Sequence, residues 1–299
     1  MIVGESLVSD RLRRASRLDS RRLPGCQFAL NARSAFTLIE LLIVIAIIGI
    51  LSSLLLPSLA RGKQRAKQVN ELNAARQLMI AWQLYADDNE DQVLPGYTSA
   101  VEAFDDQGNA LGSPIRDRYP WRLASALANN FQSIYVNESR RFLDEAGTMS
   151  HGDYVYRASL YPSLGYNTVF LGGDEAKFNP AVAAASFGTD WLVTRTSQIQ
   201  RPGDQIAFAS ARSRPGGTRD EAGYYAVHPP WLVTRQWDPA FSTARPPEKF
   251  GYVHPRWNSR AMTAMTDGHA ETLSQTELQD MRRWCNTADR ADWTLRALP

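Results

Sequence analysis

"SAFTLIELLIVIAIIGILSSLLLPSLARGK", residues 34–63, holds one carboxylate, Glu40, at the threshold of twenty residues without a charge, Leu41 to Ala60. At 1.5 Å per residue such a stretch makes a helix about 30 Å long, the thickness of a bilayer's hydrocarbon core. The many Ile and Val are no obstacle, because in lipid every backbone group must bond inside its own helix whatever the side-chain propensity. Pro57 near the far end is expected to kink or loosen the helix and Gly49 to weaken it; both are tolerated in membrane helices. On insertion scales a carboxylate in hydrocarbon costs roughly 2.5 to 3.5 kcal/mol, so Glu40 needs a partner or a place near the boundary. The first turns of a helix are such a place, since the dipole favours negative charge there.

The flanks bear on what the stretch is for. Residues 1–35 hold seven arginines against Glu5, Asp10 and Asp19, a local excess of 7 − 3 = +4 in a chain of net charge +2. A basic head, an apolar stretch and then Ser58-Leu59-Ala60 also describe an ordinary secretory signal. Three features oppose that: the stretch exceeds the usual apolar length, Glu40 sits where such signals avoid acid, and helical patterning continues past Ala60. Val69, Leu72, Ala75, Met79, Trp82 and Ala86 recur at steps of three and four, while Arg61, Lys63, Arg65, Lys67, Glu71 and Arg76 fill the other faces. The acid- and amide-rich run "ADDNEDQVLPG" ends the helix near Asp87, giving an expected helix from about Phe36 to Asp87. Asp87, Asp88, Asn89, Glu90 and Asp91 lack the ligand spacing and glycine of an EF-hand and read as a solvated helix end.

"AFTLIELLIVIAIIGILSSLLLP" resembles the N-terminus of type IV pilins and type II secretion pseudopilins over about thirty residues. The resemblance implies a leader over 1–35, a cut by prepilin peptidase between Ala35 and Phe36, and N-methylation of Phe36. The family usually has glycine before the cut, where this chain has Ala35. It implies further that Glu40 meets the Phe36 amine of a neighbouring subunit and so sets the axial register, since any other register leaves a buried charge unpaired. Other pilin or pseudopilin subunits and inner-membrane lipid are then the partners. The chain would be single-pass in the bacterial inner membrane with an extracytoplasmic head; cations on both sides of the span leave orientation unsettled by charge alone.

Residues 91–299 read as short elements between turns. "RYPWRLASALANNF" (118–131) suggests a short helix, and "DYVYRASLY" (153–161), "DQIAFASA" (204–211) and "GYYAVH" (223–228) suggest strands. In "RAMTAMTDGHAETL" (260–273), Asp267-Gly268 between alternating runs predicts a hairpin with a two-residue type I′ loop. This region resembles a C-terminal motif of large pilin-like proteins of planctomycete and verrucomicrobial type, a His, nine residues, then Asp-Gly. Here Trp257 stands at the His position. "LQDMRRW" (278–284) reads as a closing helix or tail.

The rest of the composition excludes more than it assigns. With a net charge of 2 − 4 = −2 outside the leader, nucleic acid is not an expected partner. Cys26 and Cys285 are too few for a disulfide framework, and Cys285 beside Trp284 reads as a small core residue. Among His151, His228, His254 and His269 there is no metal-ligand spacing, and the chain has no Gly-x-Ser-x-Gly elbow, Walker loop or dinucleotide fingerprint. His269, Asp267 and Glu271 read as solvated hairpin groups, with a metal site as the alternative. Catalysis, cofactor and metal are therefore not expected. The expected fold is α+β and pilin-like: a leader (1–35), a membrane and assembly helix (36–60), its amphipathic continuation (61–90), and a head with an antiparallel sheet (91–299). The alternative is an anchored or secreted binding or carbohydrate-active domain behind an ordinary export signal.

Overall fold

The computed structural model describes residues 37–215 and 220–299. The chain forms two units, one ending at Leu55 and the other running from Leu56 to Pro299, the C-terminal unit below. Helix α1, Leu38–Asp88, contributes residues to both and continues through Pro57. In the first unit every described side chain is exposed, with Leu38 at 74%. An apolar face of this extent is stable only against lipid or other protein, and the segment is long and apolar enough to cross a membrane.

The C-terminal unit is built on a five-stranded sheet in the order β5-β1-β2-β6-β7, from β1 Leu164–Asn167, β2 Ile206–Ser210, β5 Ala226–Val227, β6 Arg260–Met265 and β7 Ala270–Ser274. Strands β3 Arg212–Ser213 and β4 Glu221–Ala222 form a separate pair. The main sheet is antiparallel except at one edge, where β5 runs parallel to β1. That edge departs from the wholly antiparallel expectation. It is two residues long, and "GYYAVH" is otherwise irregular.

Both faces of the sheet are covered, so β2 is buried at every position and shows no polar alternation. On one face lie Ala74, Ala75, Leu78, Met79, Ala81 and Trp82 of α1, against Leu164, Tyr166, Phe208, Met262 and Ala264. The register slips between Ile206 and Phe208, a bulge that turns both Ala207 and Phe208 toward this face. Trp82 Nε1 donates to Tyr166 Oη at 3.1 Å, and that hydroxyl donates to the Leu94 carbonyl at 2.9 Å. The helix and the chain leaving it are thus tied to one strand. On the other face Phe170, Trp191, Ile206, Ala209, Trp284 and Cys285 make a second core.

Two expectations are corrected. Residues 153–161 are not a strand: helix α4 spans His151–Leu160, the fourth after α2 Tyr119–Arg122 and α3 Arg141–Asp144. The alternation of Tyr154, Val155 and Tyr156 imitates a strand, but Ser150 caps a helix by accepting from Asp153 N at 3.1 Å, and Val155, Ala158 and Ser159 form its buried stripe. The helix expected over 118–131 is the single turn α2, after which 3₁₀-like turns follow. Helix α5 is Pro180–Phe187, and beyond β7 come the one-turn helix α6 Gln275–Leu278 and a 3₁₀ turn at Met281–Arg283.

Candidate functional site

Helix α1 opens with a reciprocal cap. Thr37 N donates to Glu40 Oε2 at 2.9 Å and Thr37 Oγ1 at 2.8 Å, while Glu40 N donates back to Thr37 Oγ1 at 3.3 Å. Thr-x-x-Glu at the N-cap and third helical position is the capping-box arrangement, which satisfies two of the four amides a helix start leaves free. The sequence reading placed Glu40 in the first turns but did not see that Thr37 holds it there. Both bonds use Oε2, and among the described residues Oε1 has no protein partner. The carboxylate is therefore oriented without being consumed. Ala35 and Phe36 lie outside the described residues.

The Asp267-Gly268 turn joins β6 and β7 as expected, but with three loop residues rather than two. Met265 N donates to the His269 carbonyl, Gly268 N donates to the Met265 carbonyl, and Gly268 alone in the loop has positive φ, +95°. This is a type I turn closed by a glycine bulge. The two-residue loop with positive φ at both positions lies earlier, at Asn258 (φ 50°) and Ser259 (φ 61°), where Trp257 and Arg260 exchange backbone hydrogen bonds. His269 does not gather a metal-like set: its Nδ1 is 2.6 Å from Asp267 Oδ1 and its Nε2 is 3.8 Å from Glu271 Oε1, so the two carboxylates sit on opposite nitrogens. Among the described residues, ligand atoms converge instead at Asp105, Asp106 and His151. There Asp105 already accepts from Gln107 N, Asn109 N and Asn109 Nδ2, bonds that hold its carboxyl well below the usual range.

The residue that sequence reasoning misplaced is Glu71. Assigned to a polar face, it is fully buried on the same stripe as Ala74, Ala75, Leu78 and Met79. Its Oε2 accepts from Trp257 Nε1 at 3.1 Å, Ser210 Oγ donates to its Oε1, and Arg256 Nε lies 3.7 Å from Oε1. Ser210 Oγ in turn accepts from Met262 N at 2.9 Å. One carboxylate thus joins α1 to β2, β6 and the turn before β6. Burial pushes the Glu71 carboxyl above its ordinary value, although Arg256, Ser210 and Trp257 all pull it down. The indole at position 257 works as an N–H donor toward the helix. The available signal was the spacing 71, 74, 75, 78, 79, which puts this acid on the apolar face.

In the acid run at the end of α1, Asp87, Asp88 and Glu90 are exposed, as a solvated helix end requires, and Asp91 is an anchor. Asp91 accepts from Ser197 N at 3.2 Å and Ser197 Oγ at 2.6 Å, and from Thr196 Oγ1, so it fixes a 3₁₀ turn at Thr196–Gln198. Cys285 is buried, as its sequence context suggested, and desolvation pushes its thiol up to about 11. It is expected to resist a thiol-specific reagent at neutral pH in the folded chain and to react fully after denaturation, read as mass added to the intact protein. Labelling of the native chain at the rate of a free thiol would contradict this burial.

No curated protein and no solved structure matched the chain. Residues 30–56 match the prokaryotic N-terminal methylation motif, and with the one long apolar helix found among the described residues they give the chain the N-terminus of a type IV pilin-like prepilin.

Proposed function

We propose that this chain is a structural subunit of a type IV pilus-like or type II secretion pseudopilus-like filament. Prepilin peptidase cuts between Ala35 and Phe36, Phe36 is N-methylated, and the apolar helix holds the subunit in the inner membrane as a single pass with the head outside. On assembly, neighbouring helices replace lipid around the exposed Leu and Ile of the span. The observation that carries this reading is the capped Glu40, fixed at the helix start with one oxygen available for a neighbour's amine. Such a pair defines axial stagger, because a shifted copy leaves a charge in hydrocarbon without a partner. The head supplies specificity for cargo, partner or surface, and no catalytic step is assigned to it.

The test is the mass of the mature N-terminus in cells that contain the peptidase. A chain beginning at Phe36 and carrying one added methyl group is the expected product. A chain beginning at Arg61 would mean that the apolar stretch is an ordinary export signal, leaving a secreted binding domain. The same sample from cells lacking the peptidase should retain the leader.

A further inference from the structure

Four cations, Arg61, Lys63, Arg65 and Lys67, follow Ala60 directly, and the filament reading uses none of them. Lys67 is paired with Glu138. Arg61, Lys63 and Arg65 are exposed, and among the described residues they have no carboxylate partner. On a helix, positions 61, 64, 65 and 68 share one face. That face meets the tight turn at Asn258–Ser259, where Gln64 Nε2 lies 3.5 Å from Asn258 Oδ1. Arg61, Gln64, Arg65, Gln68, Trp257 and Asn258 line a cleft of about 190 Å³. Two guanidinium groups and three amides surround it, with no acid, so its chemistry is that of an oxyanion site.

Position along the chain says which oxyanion. A bilayer is about 40–45 Å thick including its headgroups and about 30 Å without them, which leaves a polar layer of roughly 5–8 Å on each side. At 1.5 Å per residue, Arg61 to Arg65 occupy the first ~8 Å beyond Ala60, within that layer. We propose that Arg61, Lys63 and Arg65, with the cleft closed by the Asn258–Ser259 turn, bind the phosphate of anionic phospholipid headgroups in the leaflet on the head's side. This rests on residues 41–60 spanning the bilayer. It also accounts for a basic cluster on both flanks of the span: the second cluster is neutralised by lipid phosphate where the span ends.

The test uses the full chain in vesicles of phosphatidylcholine with a minor fraction of phosphatidylglycerol. After extraction, the phospholipids retained by the protein are quantified by mass spectrometry. Phosphatidylglycerol should be enriched over its bulk fraction, and Arg61→Gln/Lys63→Gln/Arg65→Gln should lower that enrichment at least tenfold, given about fivefold per cation. Arg296→Gln, an exposed cation remote in sequence, should leave it unchanged. Resistance of both chains to alkaline extraction from the vesicles is read in parallel. Insertion without enrichment, or equal enrichment in the triple variant, overturns the lipid site while leaving the spanning reading intact; failure to insert overturns both. Inorganic phosphate binding as tightly to the detergent-solubilised chain as the lipid would assign the cleft to free phosphate. Loss of crosslinked chain pairs in the triple variant with lipid enrichment unchanged would assign the cations to a second copy. Either result overturns the proposal.

Discussion

Glu71→Leu is expected to destabilise the C-terminal unit by about 3 kcal/mol, the lower end of what breaking a buried ion pair costs. The lower end applies because the Arg256 guanidinium keeps two other acceptors, the carbonyls of Ala211 at 2.5 Å and Ser163 at 3.3 Å. Ser210 Oγ likewise keeps the Met262 carbonyl at 3.3 Å, whereas the Trp257 indole loses the one acceptor it has among the described residues. For a unit of this size the loss corresponds to a drop of roughly 6–12 °C in midpoint. Trp257→Phe, which removes the N–H and keeps a ring, should cost about 1–2 kcal/mol. Thermal unfolding of the full chain in detergent, followed by the near-ultraviolet circular dichroism of its buried tryptophans, measures both. A Glu71→Leu midpoint equal to that of the parent would mean that the carboxylate does not join helix to sheet.

The same residue carries a pH signature of defined sign. Its folded-state pKa lies above its ordinary 4.5, so between those two values the folded chain binds more protons than the unfolded one. The stability that this shift contributes is then fully present below pH 4.5 and is lost as pH rises through the folded pKa, while the bonds to Ser210 and Trp257 and the Arg256 pairing persist in the ionised form. Asp174, Asp220, Asp280 and Glu277 are held low and behave oppositely, losing their contribution in acid. The whole molecule therefore weakens in acid, and only the difference between parent and Glu71→Gln isolates Glu71. That difference should move in the parent's favour as pH falls toward 4.5 and shrink as pH rises; the reverse slope would contradict the burial argument.

Which parts of the fold were legible follows from which physical signals are local. Helix α1 was readable nearly to the residue because lipid and the core both impose one-sided rules over many turns: no charge from Leu41 to Ala60, then apolar residues at steps of three and four. Strands β2, β6 and β7 were readable because apolar runs bracket obvious turns. The segment 153–161 misled because tyrosines next to a β-branched valine carry strand propensity, and the N-cap Ser150 that overrides it lies before the run. At the hairpin, Asp-Gly correctly marked a reversal but not its length, which is set by where Met265 and His269 pair. Glu71 was the informative miss. A charge on the apolar stripe is an anomaly that only makes sense once Ser210, Arg256 and Trp257, 139 to 186 residues away in sequence, arrive at it. Glu40 was the converse, since its bond partner Thr37 is three residues away and the sequence contained it in full.

On the filament reading, Glu40→Leu should abolish assembly while leaving membrane insertion intact, and a graded set of variants shows why. Glu40 has two roles to separate, a capping acceptor for Thr37 and a charge for a neighbour. Thr37→Val removes the capping hydroxyl alone, a local change at one helix end, and should lower filament yield only a few-fold. Glu40→Gln keeps an acceptor for the Thr37 amide but removes the charge, so it should resemble Glu40→Leu and not Thr37→Val. The size of the loss follows from what remains: the leucine is welcome in hydrocarbon, but the neighbouring amine then lacks a counter-ion, and an unpaired charge there costs enough for about a hundredfold fall in assembly. Filament sheared from cells, compared with membrane-bound chain on the same immunoblot, gives assembly and insertion separately. If Thr37→Val and Glu40→Leu reduced filament equally, Glu40 would be a helix cap and nothing more; if Glu40→Leu failed to insert at all, the acid would belong to targeting rather than to assembly.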